Sequence, residues 1–150
     1  MNITPTLEGG LAIEPGSETD WVVLEMITKD VGRPAHLAES LAGLMDDDSE
    51  WEEYVVPDLE TSFNSQCKYV KAAIEHCREY EERVLYIKPK QADKWYGAIN
   101  QARISLEARY KLENIDDVED APSELRSAHF RNRFYLMLQS MLLEYVMGEA

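Results

Sequence analysis

The spacing of hydrophobic positions changes once along this chain. Up to Gly16 it is short and alternating: Ile3 to Glu8 and Leu11 to Glu14 flank Gly9-Gly10, which predicts a β-hairpin. From Ser17 onward, apolar residues recur every three or four positions, the period of helices packed on one side. Ser17 is placed to cap a first helix reaching about Lys29, and Gly32-Arg33-Pro34 breaks it. Pro34 suits the start of a second helix through Met45, carrying Leu37, Leu41, Leu44 and Met45. Asp46 to Ser49 reads as a turn that caps a short segment up to Pro57.

The longest periodic run extends from about Asp58 to Ile87. Leu59, Phe63, Cys67, Val70, Ile74, Cys77 and Val84 form its stripe, with one step missed at Glu81, and Lys88-Pro89-Lys90 ends it. Tyr69 and Tyr80 extend one side of the same face. A fourth helix over about Gln91 to Leu112 turns Trp95, Ile99, Ala102, Leu106 and Tyr110 to one side. The acidic loop Asn114 to Asp120 follows. Pro122-Ser123-Glu124 then opens a fifth helix to about Met147, with Phe134, Leu138, Met141 and Tyr145 inward. The predicted fold is a single all-α domain, a helical bundle of four to five helices, with a short N-terminal hairpin.

Composition narrows the chemistry. A length of 150 residues, 45% of them hydrophobic, is enough for one real core. Twenty-nine acidic residues against 15 Lys and Arg give a net charge of −14, which repels phosphate backbones and anionic membranes. No apolar run approaches a membrane span, and residues 1–16 have neither the basic start nor the apolar stretch of a signal peptide. Cys67 and Cys77 lie on one predicted helix, roughly 15 Å apart along its axis, too far to bridge. A cytoplasmic protein with two buried thiols is the expectation.

Catalytic and metal patterns are not found. His36 and His76 precede Glu39 and Glu79 by three residues, the reverse of the Glu-x-x-His step of di-metal bundles, and His76 points about 120° or more from the core stripe. The chain has no HExxH, paired CxxC, EF-hand loop, G-x-S-x-G elbow or phosphate loop. No cofactor and no metal are expected.

Two charged arrangements stand out. Arg103 and Arg109 flank the apolar stripe of the fourth helix, each about 60° from its centre. Glu81 falls on the stripe of the long helix, where an unpaired carboxylate is costly. A structural ion pair between Glu81 and one of these arginines is the favoured reading, with an anion pocket as the alternative. On the fifth helix, Arg126, His129 and Arg133 form a basic strip, with Arg131 nearby. Its favoured role is internal matching, against Asp116 to Asp120 or Glu75, Glu79 and Glu82. The sharper reading is a dock for an acidic partner or phosphate.

The run Trp95-x-x-Ala98-x-Asn100-x-x-Arg103-x-x-Leu106-x-x-Arg109-x-x-Leu112 resembles the bacterial DUF2017 family, a domain of unknown function. The Gly9-Gly10-Leu11 segment and the Leu138-Gln139 step of the last helix agree loosely, and the chain departs at Glu107-Ala108, where the family often has Gly-Thr. The resemblance implies a small helical protein without assigned activity, often encoded near the adaptor of the Clp protease. It marks Asn100, Arg103 and Arg109 as the residues to test first. The leading functional expectation is a non-enzymatic interaction or regulatory protein that acts through a bundle surface, by way of the basic strip and exposed aromatics. A homo-oligomer is compatible with it. The rival is a small-molecule or anion binder, or an enzyme, with a pocket near Asn100, Arg103 and Arg109.

Overall fold

The computed structural model describes residues 1–32, 56–112 and 119–148. The expected second helix, the turn after it, most of the short segment up to Pro57, and the acidic loop apart from Glu119 and Asp120 lie outside the described residues. Within them the chain is a helical bundle with a small sheet at its N-terminal side, as the change of period predicts.

The hairpin forms between β1 (Asn2–Pro5) and β2 (Leu11–Glu14), antiparallel with Ile3 opposite Ile13. Gly9 takes the positive φ of 89° in the turn, and Gly10 donates its N–H to the Thr6 hydroxyl at 2.9 Å. A lone hairpin is marginal, and this one is stabilised by a third strand. β3 (Leu85–Ile87) pairs antiparallel with β2, placing Leu11 opposite Ile87 and Ile13 opposite Leu85, all four buried.

Helix α1 (Glu18–Val31) starts where Ser17 accepts from the Asp20 N–H at 3.3 Å and stops at Gly32, with φ of 71°. Helix α2 (Val56–Glu79) is shorter than its periodicity suggests. Glu81 adopts the left-handed conformation, φ 52°, and the Glu82 N–H closes back on the Cys77 carbonyl at 2.9 Å, which ends the helix. The expected continuation to Ile87 is thus corrected: the missed step at Glu81 is a helix end, and Leu85-Tyr86-Ile87 turns in, out and in as a strand. Tyr80, in the same turn, is exposed rather than part of the apolar face.

A single 3-10 turn (Pro89–Gln91) leads into helix α3 (Ala92–Tyr110). Trp95, Ala98, Ile99, Ala102 and Leu106 are fully buried, because α3 packs on α1, α2 and the last helix together. Helix α4 (Ser123–Met141) runs into a π turn (Leu142–Val146), where the Met147 N–H reaches the Leu142 carbonyl at 2.7 Å. Leu142, four residues past Leu138, stays buried, whereas the wider turn rotates Tyr145, expected inward, to an exposed position. Leu138 is buried as predicted, with Phe134 and Met141 packed against the core.

Candidate functional site

Two polar systems line the sides of α4, and a mixed apolar and basic face covers its outside. The first system closes on Asp30, in the last turn of α1, which is 1% exposed. Arg131 grips its carboxylate from both sides, Nε to Oδ2 at 2.8 Å and Nη2 to Oδ1 at 3.0 Å. The Tyr135 hydroxyl donates to Oδ2 at 2.5 Å, and Arg109 donates to the Asp30 backbone carbonyl at 2.7 Å. Ser105 caps the next carbonyl, that of Val31, at 3.1 Å. Arg109 and Ser105 thus satisfy two of the carbonyls that a helix end leaves free. Burial works against the charge on Arg131, but the hydrogen bond and charge of Asp30 outweigh it and hold its pKa above the ordinary guanidinium value. Burial, then the Asp30 charge, pushes the Tyr135 hydroxyl far above the usual phenol range, so it stays a donor. With its carboxylate fully engaged and out of water, this system is a clamp joining α1, α3 and α4.

The second system joins α3 to α4 on the other flank. Arg103 donates to the Gln139 side chain at 2.6 Å, and Gln139 reaches Asn100 at 3.5 Å. The Nε of Arg103 is buried with no hydrogen-bond partner among the described residues. In front of this pair lies an open cleft of about 450 Å³, lined by Asn100, Arg103, Ile104, Glu107, His129 and Asn132, and by Leu112. The structure therefore brings Asn100, Arg103 and His129 together and sends Arg109 away to Asp30.

The expected Glu81 pairing is overturned. Glu81 is exposed at the end of α2, while Arg109 is held by Asp30 and Arg103 by Gln139. The core-phase carboxylate that needed a cation was Asp30, three residues beyond the buried Ile27. Arg78 was missed as well. It binds Glu25 at 2.6 Å, binds Glu18, and sits 5.6 Å from the Trp21 ring, tying α2 to α1.

The basic strip divides. His129 turns to the cleft, whereas Arg126 and Arg133 stand exposed on the outside of α4. Among the described residues none of the three forms an ion pair, and Glu82 lies near His76, at 3.9 Å, rather than near the strip. Internal matching to Glu75, Glu79 and Glu82 is therefore corrected, and Asp116 and Asp117 lie outside the described residues. On the same outward side Arg126, Phe130, Arg133, Met137 and Ser140 recur at alternating spacings of four and three, all exposed. Phe130 is 61% exposed, and Leu136, Met137, Leu143 and Tyr145 are each between 44% and 49% exposed.

The thiols offer little chemistry. Burial raises Cys67 to a pKa of about 11, and burial with the neighbouring Glu82 does the same for Cys77. Both stay protonated at neutral pH and lack thiolate reactivity. Among the described residues no group of three or more His, Cys, Asp or Glu is arranged to hold a metal ion, and no helix is long and apolar enough to cross a membrane.

No curated protein and no solved structure matches the chain. A family model does, over residues 18–146, from the first residue of α1 to the end of the π turn. That span holds every element described above except the hairpin, and it includes both the Asp30 clamp and the outward face of α4. The chain belongs to the DUF2017 family, a domain of unknown function.

Proposed function

We propose that this protein is a non-enzymatic interaction module that docks a partner on the outward face of α4. The observation that carries the reading is the exposed row of Phe130 and Met137 on α4, flanked by the half-exposed Leu136 and Leu143, with Arg126 and Arg133 in the same row and forming no ion pair among the described residues. Scattered surface hydrophobics are ordinary, but a contiguous row along one helix is how amphipathic helices meet apolar partners. Arg126 and Arg133 give the face a local positive character inside a −14 protein, and so favour a partner that presents apolar and acidic groups together. A regulatory role in the bacterial cytoplasm, beside Clp-dependent proteolysis, fits the family association.

The experiment is site-specific photo-crosslinking from position 137 in the native host. A discrete covalent adduct is expected, with its yield abolished by Phe130→Glu in an otherwise normally folded protein. A face that captures nothing, or an adduct indifferent to Phe130→Glu, overturns the proposal.

A second reading rests on the α3/α4 cleft, where Asn100, Arg103 and His129 converge. It would take a small oxyanion such as a carboxylate or phosphate. Millimolar inorganic phosphate or citrate raising the melting temperature of the native protein, and not of His129→Gln, would favour it. No shift in either protein removes it.

A further inference from the structure

The docking face has a polarity of its own. Its N-terminal half carries Arg126 and Arg133, its middle carries Met137 and Ser140, and its far end, in the π turn, carries Glu144, all exposed. We infer that the occupant of this face is a second copy of the chain, packed antiparallel about a two-fold axis through the Met137–Ser140 step. This inference rests on the docking reading above and names its partner.

A two-fold interface must match a surface to itself, so a residue on one copy meets its counterpart on the other reciprocally. With helices antiparallel about that step, Arg133 of one copy falls level with Glu144 of the other. Met137 falls level with the small Ser140, where two helices can approach closely. The basic end thus meets the acidic end twice, once on each side of an apolar centre. A parallel arrangement sets Arg133 against Arg133 and Glu144 against Glu144, and the like charges reject it. Leu136 and Leu143, half-exposed on the flanks of the row, close over the seam.

The length of the row sets the strength. From Phe130 to Glu144 the seam is about 21 Å long, a single helix pair that buries less than the roughly 800 Å² per partner of a stable complex. The contact is correspondingly weak, and it is opposed at long range by two bodies of net charge −14. Added salt therefore favours the dimer, whereas docking driven by the arginines alone would weaken with salt.

Sedimentation equilibrium on the full chain, from about 1 to about 300 µM, tests this. The expected result is a concentration-dependent rise to twice the monomer mass, stronger at higher salt. Met137→Glu should remain monomeric with an unchanged far-UV spectrum. Arg133→Glu should weaken association roughly tenfold or more, and Arg133→Glu combined with Glu144→Arg should restore it. A chain that is monomeric throughout overturns the inference, as does a dimer indifferent to Met137→Glu or a charge exchange that fails to rescue. If the chain is monomeric but position 137 still crosslinks to a different protein, only the second copy is ruled out and the docking reading stands. If neither is seen, both fall.

Discussion

A carboxylate buried at the C-terminal end of a helix loses its water and faces the negative end of the helix dipole. Asp30 does both, and it is tolerated because two guanidiniums and a phenol surround it. Removing the carboxylate leaves Arg131 and Tyr135 without their acceptor in the interior. Asp30→Ala should therefore cost about 3–5 kcal/mol, read as a fall in the urea midpoint at constant m-value. Tyr135→Phe should cost less, about 1.5–3 kcal/mol, because it deletes one hydrogen bond to a charged group and keeps the ring. The two losses should fail to add in a double-mutant cycle, since they share one acceptor. The thiols give a second residue-scale test. Folding raises their pKa from about 9 to about 11, so the folded protein holds these protons more tightly than the unfolded chain. That contribution is intact below pH 9 and declines as pH climbs from about 9 to about 11. Cys67→Ser with Cys77→Ser should flatten the alkaline limb of stability against pH over that window. Ellman's reagent at pH 8 should react slowly with the native wild type and rapidly once it is unfolded.

At the scale of elements, what the sequence revealed depended on how local the cause was. Helices α1, α3 and α4 were legible because each is specified by its own stripe and by nearby caps such as Ser17 and Gly32. The end of α2 was half legible: Glu81 broke the stripe, but a glutamate in the left-handed conformation is an uncommon terminator, and three residues are too few to announce a strand. The Asp30 clamp was not legible as a pairing. Arg131 and Tyr135 lie 101 and 105 residues further along the chain, and no periodicity states which distant cation a buried carboxylate will meet. The flanking positions of Arg103 and Arg109 were foreseeable from helical geometry, but their partners, Gln139 and Asp30, were not. The sheet supplies the matching prediction. A Cβ on Gly10 would collide with the backbone carbonyl of Ile87, so β2 and β3 could not keep their spacing. Gly10→Ala should destabilise by about 1–3 kcal/mol, with hydrogen exchange at Leu11 and Ile13 accelerated before that of α3.

The whole molecule carries one further charge effect and one consequence of its topology. With a net charge of −14, the compact state repels itself, so moderate salt should raise the melting temperature even of the monomeric Met137→Glu variant. Salt that lowers it instead would mean that the local pairs at Arg78 and Arg131 dominate the field. The small sheet, meanwhile, is sewn from two distant stretches: Ile13 aligns with Leu85, about seventy residues later. During synthesis, the hairpin leaves the ribosome long before the strand that pairs with its free edge exists. Leu11 and Ile13 must then wait uncovered until translation has passed Ile87, so a nascent chain stalled before that point should expose a sticky edge that a completed one has already put away.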